Sequence, residues 1–260
     1  MKGLLRSAAG LGLAATGQLR RGLRRTGVIV AFHRVNDRTA GDALTRSRRD
    51  YERFCRFFRT HFDVVALSEI VSRLERDESV EGLLAITHDD GYLDNYEHAA
   101  PILQKLGLPA TFFVTTRFLG SDTVPVWDEH LQQRLAWMTW DHLHELSSAG
   151  IDIGSHTCSH ADLGRVTGEE AQRELTESRR ELERELGRTV DLFAYPFGGA
   201  KNMLPENVKC VRQAGYRCCL SCYGGLAPDG TDPFELPRVP ISMWYQTPSQ
   251  LALALGLKRA

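Results

Sequence analysis

Residues 83–92 read Leu83-Leu84-Ala85-Ile86-Thr87-His88-Asp89-Asp90-Gly91-Tyr92, an apolar run that stops on two adjacent carboxylates and a glycine. The run from Leu83 to Ile86, bounded by Gly82 and Gly91, has the length and the punctuation of a buried strand. Neighbouring side chains at a strand end point in different directions, so Asp89 and Asp90 can divide two tasks, one facing a cation and one a proton. Taken alone, Asp-Asp-Gly also starts turns and caps helices. What tips the balance lies downstream.

Working outward, the same pattern recurs. Val28–Phe32 is a β-branched and aromatic run ending at His33-Arg34-Val35, and residues 38–49 read as a polar, basic loop. A helix is expected from Asp50, with Tyr51, Phe54, Phe57 and Phe58 forming one core-facing aromatic stripe, and a second from Ser68 to Arg76. Beyond the Asp pair, Leu93–Leu106 reads as a helix ended by Gly107, and Ala110–Thr115 as a strand covered on both faces. Residues 117–138 form an excursion in which Trp127 and Trp137, with neighbouring Trp140, either border a cleft or pack. Thr139 caps a helix through Ser148, and Ile151–Ser155 leads as a strand into His156-Thr157-Cys158-Ser159-His160. Thr167 and Glu170 form a capping-box pattern opening a helix to Leu186, whose charges read as a solvated face. The strand Asp191–Tyr195 closes on Pro196-Phe197-Gly198-Gly199. A helix Pro205–Ala214, strands Tyr216–Leu220 and Leu236–Ile241, and a helix from Ser249 follow. Strands alternating with helices predict an α/β fold with a mostly parallel sheet, open or closed, whose functional loops gather at the strand C-terminal ends.

At 260 residues and 42% hydrophobic content, the chain is long enough for one large core. With 32 basic against 33 acidic residues, nothing global points to a nucleic-acid partner. The asymmetry is local. No acidic residue precedes Asp37, whereas Lys2, Arg6, Arg20, Arg21, Arg24 and Arg25 are all basic. Gly10, Gly12 and Gly17 interrupt the leucines of this stretch, which lacks a clear cleavage site before Arg20 and the run of about 20 apolar residues a spanning helix needs. Residues 1–26 are therefore expected to rest on an anionic membrane surface, with a solvated leader as the alternative, and residues 27–260 to form one domain. Cys55, Cys158, Cys210, Cys218, Cys219 and Cys222 are too few for a disulfide scaffold and read as small buried hydrophobes in a reducing compartment. The expected place is the cytoplasm, peripheral to the inner membrane face.

His33, Asp89, Asp90, His156, His160 and the Pro196-Phe197-Gly198 turn all fall at expected strand C-terminal ends, so the topology brings them to one rim. Histidines four apart can reach one ion, and a carboxylate from another strand completes a face that leaves positions open for water and substrate.

At this point the chain resembles the polysaccharide deacetylases of carbohydrate esterase family four, related to nodulation chitooligosaccharide deacetylase. Thr87-His88-Asp89-Asp90-Gly91 is similar to that family's first motif, and His156-Thr157-Cys158-Ser159-His160 to its second, within a resemblance running from Val28 to Ile241. The resemblance implies a distorted, incomplete (β/α) barrel and hydrolysis of an N-acetyl group on an amino sugar. It makes Asp90, His156 and His160 ligands of a divalent metal, usually zinc, with cobalt, nickel or iron as alternatives, and Asp89 the catalytic base. It also places a backbone N–H near Phe197 against the oxyanion.

Departures from the pattern are informative. His88 stands where the family usually has phenylalanine, and Ala194 where many members carry an arginine that steadies the base. Arg238, in Leu236-Pro237-Arg238-Val239-Pro240, is the substitute expected from another strand, unless it lies on the surface. No histidine follows His160, so the C-terminal histidine that many members use as acid is missing. Phe32-His33-Arg34-Val35 instead resembles the opening of the subgroup acting on exopolysaccharides such as poly-N-acetylglucosamine, which makes His33 the candidate acid. Two rival readings are a decayed glycan-binding module and a non-haem iron enzyme with the same two-histidine, one-carboxylate face.

Overall fold

The structure, a computed structural model, describes residues 19, 22–166, 168–241 and 245–257. Strand β1 (Thr26–Phe32) is buried at every position. It belongs to a sheet of nine strands and is followed by a separate two-stranded pair, β2 (Arg34–Val35) and β3 (Thr45–Arg46). The other members are β4 (Asp63–Val64), β5 (Leu83–His88), β6 (Thr111–Val114), β7 (Asp152–Ser155), β8 (Leu192–Ala194), β9 (Cys218–Leu220), β10 (Ala227–Pro228) and β11 (Val239–Pro240). Their order is β10-β1-β5-β6-β7-β8-β9, with β11 also on β1 and β4 also on β5. Every pairing is parallel except β1 with β10. A single bridge, Leu220 to Leu236, links β9 toward β11, so the sheet is a distorted barrel without full closure.

Register decides where the rim residues fall. β1 and β5 pair from Val28↔Leu84 to Phe32↔His88, so His33 and Asp89 leave adjacent strands at one level. Asp89 N then donates to Phe32 O at 2.9 Å. The period of two sorts the side chains between layers. Ile29, Ala85, Phe113, Ala194, Cys218 and Leu220 gather with helix α2 (Leu67–Glu75) in one cluster, whereas Val28, Val30, Phe32, Leu84 and Ile86 turn to an opposite layer.

That second layer contains helix α1 (Arg48–His61) with α3 (Ala100–Leu106), α4 (Trp140–Ser148) and α7 (Pro248–Leu257), whereas α2 belongs to the first, and α5 (Gly168–Leu186) and α6 (Pro205–Gln213) contribute to a third cluster around Phe193 and Tyr195. Ser47 Oγ accepts from Asp50 N at 3.1 Å to start α1. Tyr51, Phe54 and Phe58 then stand on Phe32 with ring centroids 5.0, 6.3 and 6.4 Å away. Each such buried ring is worth about 1.5–3 kcal/mol.

Several local expectations shift. The segment 38–49 is not all loop, because Thr45–Arg46 pairs with Arg34–Val35 as a short parallel ladder. The helix expected over 93–106 opens as a π-helical turn, Asn95–Ala99, before α3 begins. The Thr167 cap lies outside the described residues. Of the basic N-terminal stretch, Leu19 and Leu23 are buried in the same cluster as α1 and α7. No helix among the described residues is long and apolar enough to cross a membrane.

Candidate active site

The alternation that carries Ala85 and Thr87 inward also carries Asp89 inward, and there it meets Arg238, which immediately precedes β11. Arg238 is fully buried and grips Asp89 with two bonds, Nη1 to Oδ1 and Nη2 to Oδ2, both 2.7 Å. Two further donors are also satisfied, Nε by Ser221 O at 2.7 Å and Nη1 by Thr87 Oγ1 at 3.0 Å. Burial alone would raise the Asp89 carboxyl, but the Arg238 charge, with smaller help from His156, the Arg238 hydrogen bonds and His33, holds it below the usual carboxylate value. Asp89 is thus an ionised, oriented acceptor. Arg238 is no surface group.

Asp90 turns the other way, at φ 76°. Its Oδ1 lies 3.4 Å from His156 Nε2 and 3.3 Å from His160 Nε2, and all three side chains are buried. His156 follows β7 directly and donates Nδ1–H to Ala194 O at 2.8 Å, which leaves the lone pair of a neutral ring on Nε2. The residue that replaces the family's arginine therefore fixes a histidine tautomer through its backbone. Asp90 Oδ1 is a buried oxygen without a hydrogen-bond partner among the described residues. An anionic oxygen facing the His156 lone pair is unfavourable unless a positive charge sits between them. Two imidazoles and a carboxylate are a donor set that suits a divalent transition metal, so these residues fit one.

A cavity of about 400 Å³ opens over this floor, lined by His33, Asp89, Asp90, His156 and His160 together with Ala43, Leu44, Trp127, Tyr195, Phe197, Cys222 and Pro240. His33 Nε2 stands 4.0 Å from Asp89 Oδ2. Phe197 is 55% exposed at φ 62°, and its N–H makes no hydrogen bond among the described residues. Gly198 allows that turn. Its own φ is 59°, and a Cβ there would lie 2.5 Å from Cys222 N. Trp127 lies against His160, tilted, and edge-on to Phe197, with centroids 4.4 and 5.9 Å away. Of the three tryptophans read as cleft or packing, Trp127 lines the cavity, whereas Trp137 is buried on Tyr92 and Phe118. All residues singled out from the sequence, His33, Asp89, Asp90, His156, His160, Phe197 and Arg238, converge here.

Some supporting residues escaped the sequence reading. Glu174 on α5 is buried, and its carboxylate accepts from Cys158 N and Ser159 N at 2.9 Å and from Ser159 Oγ at 2.8 Å. The α5 charges are therefore not all solvated. The stripe Ala171, Leu175, Ser178 and Leu182 at helical spacing was the signal, since it puts position 174 on the buried face. Arg34, fully buried, bonds Asp42 and Asp128. Asp128 accepts from Tyr92 Oη at 2.7 Å, and Tyr92 Oη from Trp127 Nε1 at 2.9 Å, so Arg34 anchors the cavity's tryptophan. Only the alternation of residues 84, 86 and 88 hinted that His88 faces α1. There it bonds Tyr51 and Asn95, and burial pushes its imidazole down to about 3, keeping the ring neutral.

Comparison with known proteins bears on this geometry. The family model for polysaccharide deacetylase matches residues 76–219, more than half of the chain. The YxkH protein of Bacillus subtilis strain 168 is 26% identical over 216 residues, covering 82% of this chain and 71% of its own. A poly-beta-1,6-N-acetyl-D-glucosamine N-deacetylase of Staphylococcus aureus is 22% identical, covering 75% of this chain and 67% of its own. Among solved structures, the Streptococcus pyogenes deacetylase PplD in complex with acetate superposes with a TM-score of 0.74 at 20% identity, over 90% of this chain and 98% of its own.

Proposed function

The chain belongs to the polysaccharide deacetylase family, and from that premise we propose that it is a metal-dependent hydrolase removing N-acetyl groups from the amino sugars of a polysaccharide or oligosaccharide, with release of acetate. The observation that carries the reading is the juxtaposition of a buried Asp90-His156-His160 face with an Asp89 carboxylate locked by Arg238. A divalent ion on that face, zinc first and cobalt, nickel or iron as alternatives, would acidify water and polarise the acetyl carbonyl.

The chain's own groups do the rest. Asp89, ionised and fixed by two hydrogen bonds, accepts the proton of the attacking water. Phe197 N–H faces the charge developing on the carbonyl oxygen. His33, on the Asp89 side of the cavity, gives a proton to the departing amine. Trp127 and Phe197 offer aromatic surface to the apolar face of a sugar ring. A poly-N-acetylglucosamine exopolysaccharide is the favoured substrate, on the strength of the Staphylococcus aureus relative and the Phe32-His33-Arg34-Val35 opening.

The test is acetate release from N-acetylglucosamine oligomers by protein as isolated, after chelation, and after restoring zinc, cobalt, nickel or iron. Release that chelation abolishes and one of these ions restores is expected. Asp89→Asn should keep the metal and lose about 10²–10⁴-fold in kcat. Metal loss in that variant would mean the two carboxylate roles are exchanged. A stoichiometric ion without release from any oligomer would return the weight to a glycan-binding module.

A further inference from the structure

We propose that His88 is a positioning residue for the proton donor His33, acting through the Asn95 side chain. The inference rests on the assignment of His33 as the acid.

The donor directions in this buried chain are fixed by chemistry. Asn95 Nδ2 donates to His33 O at 2.8 Å, so Asn95 Oδ1 is left as an acceptor. His88 Nδ1, 3.0 Å from that oxygen, therefore carries the proton. The lone pair of the neutral ring then lies on Nε2, which takes the Tyr51 hydroxyl hydrogen across 2.8 Å. Tyr51, His88 and Asn95 are each at most 1% exposed, so water does not substitute for any of these bonds.

Packing alone does not explain an imidazole here. His88 stacks on Phe32 with centroids 5.4 Å apart and lies 4.7 Å from Phe112, contacts that a phenylalanine ring would also make. What the imidazole adds is two hydrogen bonds, and the one through Asn95 ends on the His33 carbonyl. Among the described residues the His33 ring makes no hydrogen bond of its own, so its aim is set by its backbone. The neighbour Asp94 takes the Asn36 amide at 2.6 Å, so Asp94 and Asn95 hold the His33–Asn36 segment at both ends. Both residues sit where the π-helical turn begins, a local geometry that re-aims side chains relative to a regular helix.

The experiment compares metal-loaded wild type, His88→Phe, His33→Ala and the His33→Ala/His88→Phe double variant. Each is assayed on an N-acetylglucosamine oligomer and on an aryl acetate ester, whose leaving group needs no protonation. His88→Phe should lower amide kcat about tenfold while its KM and the ester rate stay within about twofold. It should add nothing in the His33→Ala background, the signature of acting through that residue. His88→Gln, whose carboxamide also offers one donor and one acceptor, should recover most of the loss. Equal losses on amide and ester, or an undiminished further loss in the double variant, would overturn the proposal and leave His88 a packing residue. If His33→Ala itself slows both substrates equally, the acid assignment fails, and the relay with it. Because His88→Phe orphans the Tyr51 hydroxyl, Tyr51→Phe/His88→Phe serves if the single variant does not fold, with the same amide-to-ester split expected.

Discussion

The two-pronged contact between Arg238 and Asp89 sets the charge state and aim of that carboxylate and also part of the stability of the barrel. Both groups are buried, so their mutual attraction mainly offsets the cost of taking them out of water. Breaking the pair from one side is a different matter, because it strands a carboxylate in the interior. Arg238→Met should cost about 3–5 kcal/mol in denaturant unfolding. In the metal-loaded protein it should also cut deacetylation by more than the roughly tenfold expected of a merely misaimed base. Arg238→Lys should recover part of the stability but little of the rate, since an ammonium cannot hold both carboxylate oxygens in one plane. Unfolding of Arg238→Met at the wild-type denaturant midpoint would mean Asp89 has another neutralising partner. The sequence shows unevenly at this scale. Asp89 and Asp90 are legible because an apolar run ends on them. Arg238 is legible only through the resemblance, with a surface placement left open, since what turns it inward is the parallel register of Val239 with Val30, a pairing between distant parts of the chain.

Among the elements, α5 shows how a charged helix builds a site it does not enter. The segment that delivers both histidines leaves regular backbone, with Thr157 at φ 66° and His160 at φ 60°, conformations that cost about 1–3 kcal/mol each unless the surroundings hold them. Glu174 does the holding with three accepted hydrogen bonds across the loop between the two rings. Glu174→Ala should therefore weaken metal affinity about 10–100-fold, as supporting partners of ligand residues do, although it removes no ligand. Competition with a chromogenic chelator measures this, and an unchanged affinity would show that the loop holds its shape without α5. The order of strands and helices was legible throughout, because each reads as one apolar run or one helical stripe between glycines and caps. Very short pairings such as Thr45–Arg46, Asp63–Val64 and Ala227–Pro228 were not, because two residues carry no periodicity and pair only once neighbouring strands are in place.

For the whole molecule, the direction of β1 separates its two ends. The cavity lies beyond the C-terminal ends of β1, β5, β7 and β8, whereas Gly22–Arg25 lead into β1 at the opposite end. Seven extended residues put about 23 Å between those levels. If Arg24, exposed at that end, contacts an anionic surface, the cavity opens away from it, which suits a polymer reaching the enzyme from solution better than a sugar held at a lipid headgroup. Deleting the stretch is a poor test, because Leu19 and Leu23 belong to the core and Arg25 bonds Asp229 and Glu81. Changing Arg20, Arg21 and Arg24 to glutamate substitutes none of Leu19, Leu23 and Arg25 and reverses the local charge. Binding to phosphatidylserine vesicles should then fall by about 1 kcal/mol or more per residue changed, while acetate release from soluble oligomers stays the same. Vesicle binding indifferent to the three changes would remove the membrane reading. Vesicles that bind the unaltered protein and block its turnover would instead place the membrane at the cavity, and restore a lipid-linked substrate as the better hypothesis.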